Sequence, residues 1–125
     1  MMFRPGEKLP LASIADTIKQ MFKKTRDVKR HGAVMVVDKS GRLAGIFTDG
    51  DLRRLVTKKG AKAFDVKLAE AMTANCKRVR IDALAAVATA IFHKYRLDEL
   101  PVVDAEDRPV GMIDVQDIVT LKVVG

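Results

Sequence analysis

The sequence predicts an α/β (α+β) fold built from two copies of one small unit, on three observations. Apolar residues at helical spacing alternate with short apolar runs that suit buried strands. Turn residues separate the paired runs. The whole succession then occurs twice, because Val36-Val37-Asp38 returns as Val102-Val103-Asp104, 66 positions on.

The same offset relates Arg42 to Arg108, Gly45 to Gly111 and Asp51 to Asp117, with Ile46/Met112, Phe47/Ile113 and Leu52/Ile118 as conservative pairs. Upstream the offset is 70, pairing Ile14 with Leu84, Ala15 with Ala85, Met21 with Ile91, Phe22 with Phe92 and Lys24 with Lys94. The difference of four puts about four extra residues in the first copy, within residues 25–30.

In the first copy, Leu11, Ile14, Ile18, Met21 and Phe22 make one apolar helix face. Ser13 and Asp16, three apart at its start, read as a capping box. Ala33–Val37 is too short for a helix and suits a buried strand. Asp38-Lys39-Ser40-Gly41 supplies a turn into a second strand, Leu43–Thr48. A helix over residues 51–59 is stopped by Gly60.

The second copy offers a helix over residues 84–95 after Asp82, a strand over 100–103, a turn at 105–108, a strand over 110–113 and a last helix from about Val115. Pro101 and Pro109 are read as strand starts, where a missing N–H is tolerated. Residues 64–72 connect the copies without a Gly/Ser-rich linker, which divides the chain into 1–64 and 65–125. Similar units joined so closely are expected to pack with pseudo-twofold symmetry, with the ligand groove between them.

Composition limits the functional classes. At 125 residues the chain suits one compact domain, and 48% hydrophobic with 31% charged residues marks a folded chain rather than a disordered one. With no Trp, five Phe and one Tyr, the core falls to Val, Ile, Leu, Ala and Met. The longest nearly apolar stretch, residues 83–92, is far shorter than the ~20 residues of a membrane span. The N-terminus MMFRPGEK lacks the apolar core of a signal peptide, and the lone Cys76 makes neither an internal disulfide nor a metal site, so a cytoplasmic protein is expected.

The formal charge of +7 crowds into residues 19–30 and 53–67, compatible with phosphate or nucleic-acid partners but also with solvated helix faces. No aromatic platform accompanies it, so a nucleic-acid partner is not expected. His31 and His93 are far apart with no nucleophile or acid set beside them by a motif, and no catalytic or metal residue is assigned. Phe92 and Tyr95 read as core or dimer contacts, and Cys76 as a small packing residue.

The informative stretch is Gly45-Ile46-Phe47-Thr48-Asp49-Gly50-Asp51-Leu52-Arg53-Arg54. Gly45 leaves room for a ligand, or another backbone, close to the strand. Thr48 falls where strand becomes helix, and a helix N-terminus offers N–H groups to a phosphate. Asp51, one turn in, can accept from the two vicinal hydroxyls of a ribose, and Arg53 and Arg54 can neutralise phosphate charge if they face the ligand. Thr48 with Asp51 is equally a capping box that needs no ligand.

The repeated unit, with its Gly-x-x-Thr-x-x-Asp at Gly45, Thr48 and Asp51 and the Ala-Met-Thr-Ala-Asn at residues 71–75, resembles the CBS domain, and the chain resembles a tandem CBS pair. The resemblance implies two βαββα repeats, with Thr48 at a phosphate and Asp51 at ribose hydroxyls. GIFTDGDLRR at residues 45–54 and Arg-Pro-Gly-Glu-Lys-Leu-Pro at 4–10 are similar to the C-terminal CBS region of arabinose-5-phosphate isomerases. That family interconverts ribulose 5-phosphate and arabinose 5-phosphate on the way to Kdo, in a separate N-terminal sugar-isomerase domain.

The resemblance implies a regulatory fragment with its first strand clipped at Met1, no required cofactor, and AMP, ADP, ATP or CMP-Kdo as regulatory ligand. It also implies a homodimer through the CBS helices, for which Met21/Phe22 and Ile91/Phe92 are the candidate faces. Asp49 adds negative charge beside the first site, and Gly50 follows it. In the second copy Gly111 and Asp117 are kept, but Asp114 replaces the threonine, and a carboxylate repels a phosphate there. A ligand-free structural dimerisation module is the alternative; an enzyme in its own right is not expected.

Overall fold

The structure is a computed structural model that describes residues 9–28, 32–83 and 99–114. The helix expected over 84–95, the one from Val115, and His31, Ile91, Phe92, His93, Tyr95 and Asp117 lie outside the described residues. Backbone contacts divide the chain into a unit Pro10–Cys76 and a second that contains the residues from Lys77 onward.

The first unit opens on a short strand, β1 (Leu11–Ser13), followed by helix α1 (Ile18–Lys24). The continuous helix expected from Leu11 is therefore split into a strand and a helix, while the strand end expected to be clipped at Met1 lies outside the described residues. The cause is the sheet: Leu11 and Ala12 pair in parallel with Met35 and Val36, so their spacing with Ile18 and Met21 is that of two elements facing one core. Ser13 and Asp16 do bond, but they close the turn between them. The Ser13 N–H donates to Asp16 Oδ2 at 2.8 Å and the Ala15 N–H to Ser13 Oγ at 3.1 Å. The capping box of α1 is Thr17 with Gln20, at 3.2 and 2.8 Å.

Strands β2 (Ala33–Val37) and β3 (Leu43–Thr48) form the expected antiparallel hairpin. Helix α2 (Asp49–Lys59) follows directly and ends at Gly60, whose φ of 60° is left-handed. The connector folds as a 3-10 helix (Gly60–Asp65) and a one-turn helix α3 (Leu68–Ala71), then strand β4 (Thr73–Ala74). It is clasped to the β1–α1 turn by Ile18 N–H to Val66 O at 2.9 Å and Leu68 N–H to Asp16 O at 2.8 Å. The sheet runs β1-β2-β3-β4.

One core joins these elements: Ala12, Ile18, Met21, Val34, Val36, Phe47 and Leu68, with Leu52 and Leu55 of α2 packed on it. Burying side chains of this size contributes roughly 1.5–3 kcal/mol each. Met21 is completely buried here, so it is core and not part of an exposed dimer face; Phe22 lies against the ring of Phe64, centroids 6.2 Å apart.

The second unit contains β5 (Val79–Arg80), a 3-10 turn (Ile81–Ala83), β6 (Glu99–Val103) and β7 (Pro109–Asp114), in sheet order β5-β6-β7. Pro109 starts its strand, but Pro101 is the third residue of β6 and buried. The β5 ladder begins at Val102, one residue after the proline, so the missing N–H falls just outside that pairing.

The repeat is legible in backbone detail. Both hairpins bulge at the second valine, between Val36/Val37 and Val102/Val103. Asp38 Oδ1 accepts the N–H groups of Ser40 and Arg42, at 2.9 and 3.1 Å, and Asp104 Oδ1 those of Glu106 and Arg108, at 2.9 and 3.0 Å. The left-handed position of the turn is Gly41 (φ 83°) in one copy and Asp107 (φ 64°) in the other. Asp107 also accepts from Arg78 Nη1 at 2.8 Å.

Two outcomes follow from these turns. Gly41→Ala meets no atom within 4 Å, so its cost is the left-handed backbone alone, about 1–2 kcal/mol in urea unfolding; Gly41→Asp costs less, since aspartate tolerates this region. Asp38 is held below the ordinary aspartate pKa chiefly by the Ser40 hydroxyl, with the N–H groups of Arg42 and Ser40 adding to it. A lowered carboxylate stabilises the fold above its unfolded pKa and loses that contribution as pH falls through the folded one. NMR titration of Asp38 places its midpoint below the usual value, and Ser40→Ala raises it.

Candidate ligand site at the start of the second helix

Strand β3 becomes α2 without a loop, which makes Thr48 both the last strand residue and the helix N-cap. Thr48 Oγ1 accepts from the Asp51 N–H at 3.1 Å, and Asp51 Oδ2 accepts from the Thr48 N–H at 3.0 Å. This reciprocal pair fills the capping box. Oxygen Oδ1 of Asp51 accepts from the Arg54 guanidinium, and the Thr73 hydroxyl lies 3.4 and 3.3 Å from the two carboxylate oxygens. A carboxylate only 8% exposed requires such partners, because an unpaired buried charge is costly.

Gly45 makes the site possible from beneath. A Cβ there would lie 2.5 Å from Thr73 O and 2.8 Å from Met72 Sδ. Of the two reasons the sequence offers for this glycine, the structure supplies another backbone: β4 pairs with β3 at Gly45↔Ala74 and Ile46↔Thr73. That close approach brings the Thr73 hydroxyl to Asp51.

Gly45, Thr48 and Asp51 are thus gathered by β3 and the first turn of α2. Gly50 adjoins them, but an added Cβ would make only ordinary contacts of 3.6 Å with Thr48 Oγ1 and Arg54, so no steric need fixes a glycine there. Asp49 is exposed, and its N–H donates to Gly32 O at 2.9 Å. Arg53 is exposed on the helix face away from Asp51, two residues being about 200° apart, and does not join the group. In the second copy Gly111 is buried and pairs with Val102, while Asp114 ends β7 opposite Glu99.

Thr73 is the member that sequence reasoning missed. The signal was available in two pieces, a glycine needing a close neighbour and the Met72-Thr73 segment, but nothing local to either says that they meet.

Chemically, the arrangement offers a hydroxyl and a carboxylate one helical turn apart. Thr48 Oγ1 accepts the Asp51 N–H and keeps its own hydrogen for donation, so capping and phosphate contact are compatible. Asp51 is an acceptor for hydroxyl donors.

Each unit carries the same bulged antiparallel hairpin beside a short parallel strand, and in the first a threonine N-cap and an aspartate three residues on open the helix that follows, the plan of a repeated α/β module. The CBS domain family matches residues 8–58 and 67–123, and the chain belongs to that family as a CBS domain pair, a regulatory rather than catalytic module. It is 40% identical over 114 residues to the arabinose 5-phosphate isomerase KdsD of Pseudomonas aeruginosa, covering 90% of this chain and 34% of that protein. The chain spans about a third of the length of the curated isomerases it matches. A CBS-domain containing protein from Agrobacterium tumefaciens superposes with a TM-score of 0.72 at 28% identity, over 94% of this chain and 86% of that one. The cytosolic domain of the Mg2+ channel MgtE, solved in complex with ATP, gives 0.73 at 25% identity, over 89% and 44%. Among the described residues no helix is long and apolar enough to cross a membrane.

Gly45→Ala is the sharpest test of the support beneath the site. The new methyl has to push β4 away, costing roughly 1–3 kcal/mol in urea unfolding and releasing the Thr73 hydroxyl from Asp51.

Proposed function

We propose that this CBS pair senses a phosphorylated ribose ligand through its first repeat. The ligand is an adenosine nucleotide (AMP, ADP or ATP) or a nucleotide-sugar of the CMP-Kdo kind. By binding it the pair modulates an attached sugar-phosphate isomerase domain that interconverts ribulose 5-phosphate and arabinose 5-phosphate, in a cytoplasmic homodimer.

The observation that carries this reading is the pair Thr48–Asp51: a hydroxyl with its hydrogen unspent at a helix start, and a nearly buried carboxylate one turn on. A nucleotide carries a phosphate and a vicinal diol on one molecule, and the two side chains offer a donor for the first and an acceptor for the second. The likeness to the MgtE cytosolic domain solved in complex with ATP supports the ligand class, and the likeness to KdsD supports the isomerase. Asp114 in place of a threonine disfavours phosphate in the second repeat. A ligand-free structural module is the second reading, favoured by a capping box that is complete on its own.

Calorimetry with AMP, ATP and CMP-Kdo separates the two. One of them is expected to bind, and Thr48→Ala to weaken it by about ten- to a hundredfold, the worth of a hydrogen bond to a charged group. Thr48→Ser is expected to restore binding. Loss of the cap itself lowers stability by about 1 kcal/mol. No heat from any ligand, with Thr48→Ala and Asp51→Ala altering stability alone, leaves the structural module standing.

A further inference from the structure

Asp51 is crowded before any ligand arrives. A carboxylate has about four acceptor positions. One on Oδ2 holds the Thr48 N–H, one on Oδ1 holds Arg54, and the Thr73 hydroxyl sits between the two oxygens. A vicinal diol brings two donors to this same group, so one present donor has to leave.

The three donors differ in freedom. The Thr48 N–H is fixed by the strand-to-helix junction, and moving it opens the capping box. The Thr73 hydroxyl comes from 22 residues along the chain but sits on β4, whose backbone is paired to β3. The Arg54 side chain is 73% exposed and anchored only at its root, one turn along α2. It alone can swing off into water at little cost, because an exposed guanidinium is well solvated.

We infer that Arg54 is an internal competitor of the ligand. In the free protein its guanidinium occupies the diol-binding edge of Asp51, and a ribose enters as Arg54 departs; this rests on the diol role given to Asp51 above. The competition is felt by vicinal hydroxyls and not by a deoxyribose, which brings one donor fewer. It is modest, because an ion pair with one exposed partner is weak: about three- to fivefold in affinity. Arg54 therefore sets the concentration at which the site responds rather than closing it.

A neutral probe isolates this effect from phosphate attraction. NMR titrations of the full chain with adenosine and cytidine, and with their 2′-deoxy counterparts, compare the natural protein with Arg54→Ala and Arg54→Met. The second variant keeps side-chain length without donors, and far-UV circular dichroism checks that both fold. The expected result is three- to fivefold tighter binding of a ribonucleoside in both variants, with no gain for its 2′-deoxy form. Unchanged or weaker ribonucleoside binding overturns the competition, as does an equal gain for both sugars, which reports removal of bulk or charge instead. If none of the four nucleosides shifts any of the three proteins, the diol reading of Asp51 fails, and the role of Arg54 falls with it.

Discussion

The carboxylate of Asp51 is the group around which the start of α2 is arranged. It is nearly buried and carries a charge, so it has to be met by donors from several elements. Each donor then constrains the chain that bears it. Thr48 has to end its strand where the helix begins. Arg54 has to fall three residues on, on the same side of α2. Thr73 has to reach across from β4, which lies close enough only because residue 45 lacks a side chain. The glycine and the aspartate of the motif, six residues apart, are thus two parts of one arrangement.

This coupling also explains why the connector is not a neutral spacer. Residues 64–72 lead straight into β4, which closes the sheet edge beside β3, and Leu68 fills the core. The backbone bonds of Ile18 and Leu68 tie the connector to the turn before α1. A shift of the connector would move Thr73 relative to Asp51, so the site and the link between repeats share one set of contacts.

Much of this was legible in the sequence, for physical reasons that differ by element. Strands β2 and β3 were readable to the residue because apolar runs bounded by Asp-Lys-Ser-Gly leave few alternatives. The Thr48–Asp51 box was readable because it is local, its bonds spanning three residues. The start of α1 was not. Helical spacing from Leu11 to Met21 is the same whether one helix or a strand and a helix face the core, and the deciding partner, β2, lies more than twenty residues away. Ser13 and Asp16 have the right spacing for a cap and use it to close a turn instead. Thr73 escaped because its bond to Asp51 spans 22 residues.

The two copies diverge where backbone bonding permits. Asp38 and Asp104 are both kept, since each holds two turn N–H groups that a hydrophobic residue would leave without that acceptor. Gly41 gives way to Asp107, because aspartate tolerates the left-handed turn and gains Arg78 as a partner. Met35, whose N–H donates to Pro10 O at 2.8 Å, corresponds to Pro101, which has no N–H to donate. Thr48 corresponds to Asp114: both residue types accept an N-cap bond, but only the hydroxyl can also donate to an anion. Strands β3 and β7 can thus end in either residue, and the difference between them is the hydrogen that the Thr48 hydroxyl has and the Asp114 carboxylate lacks.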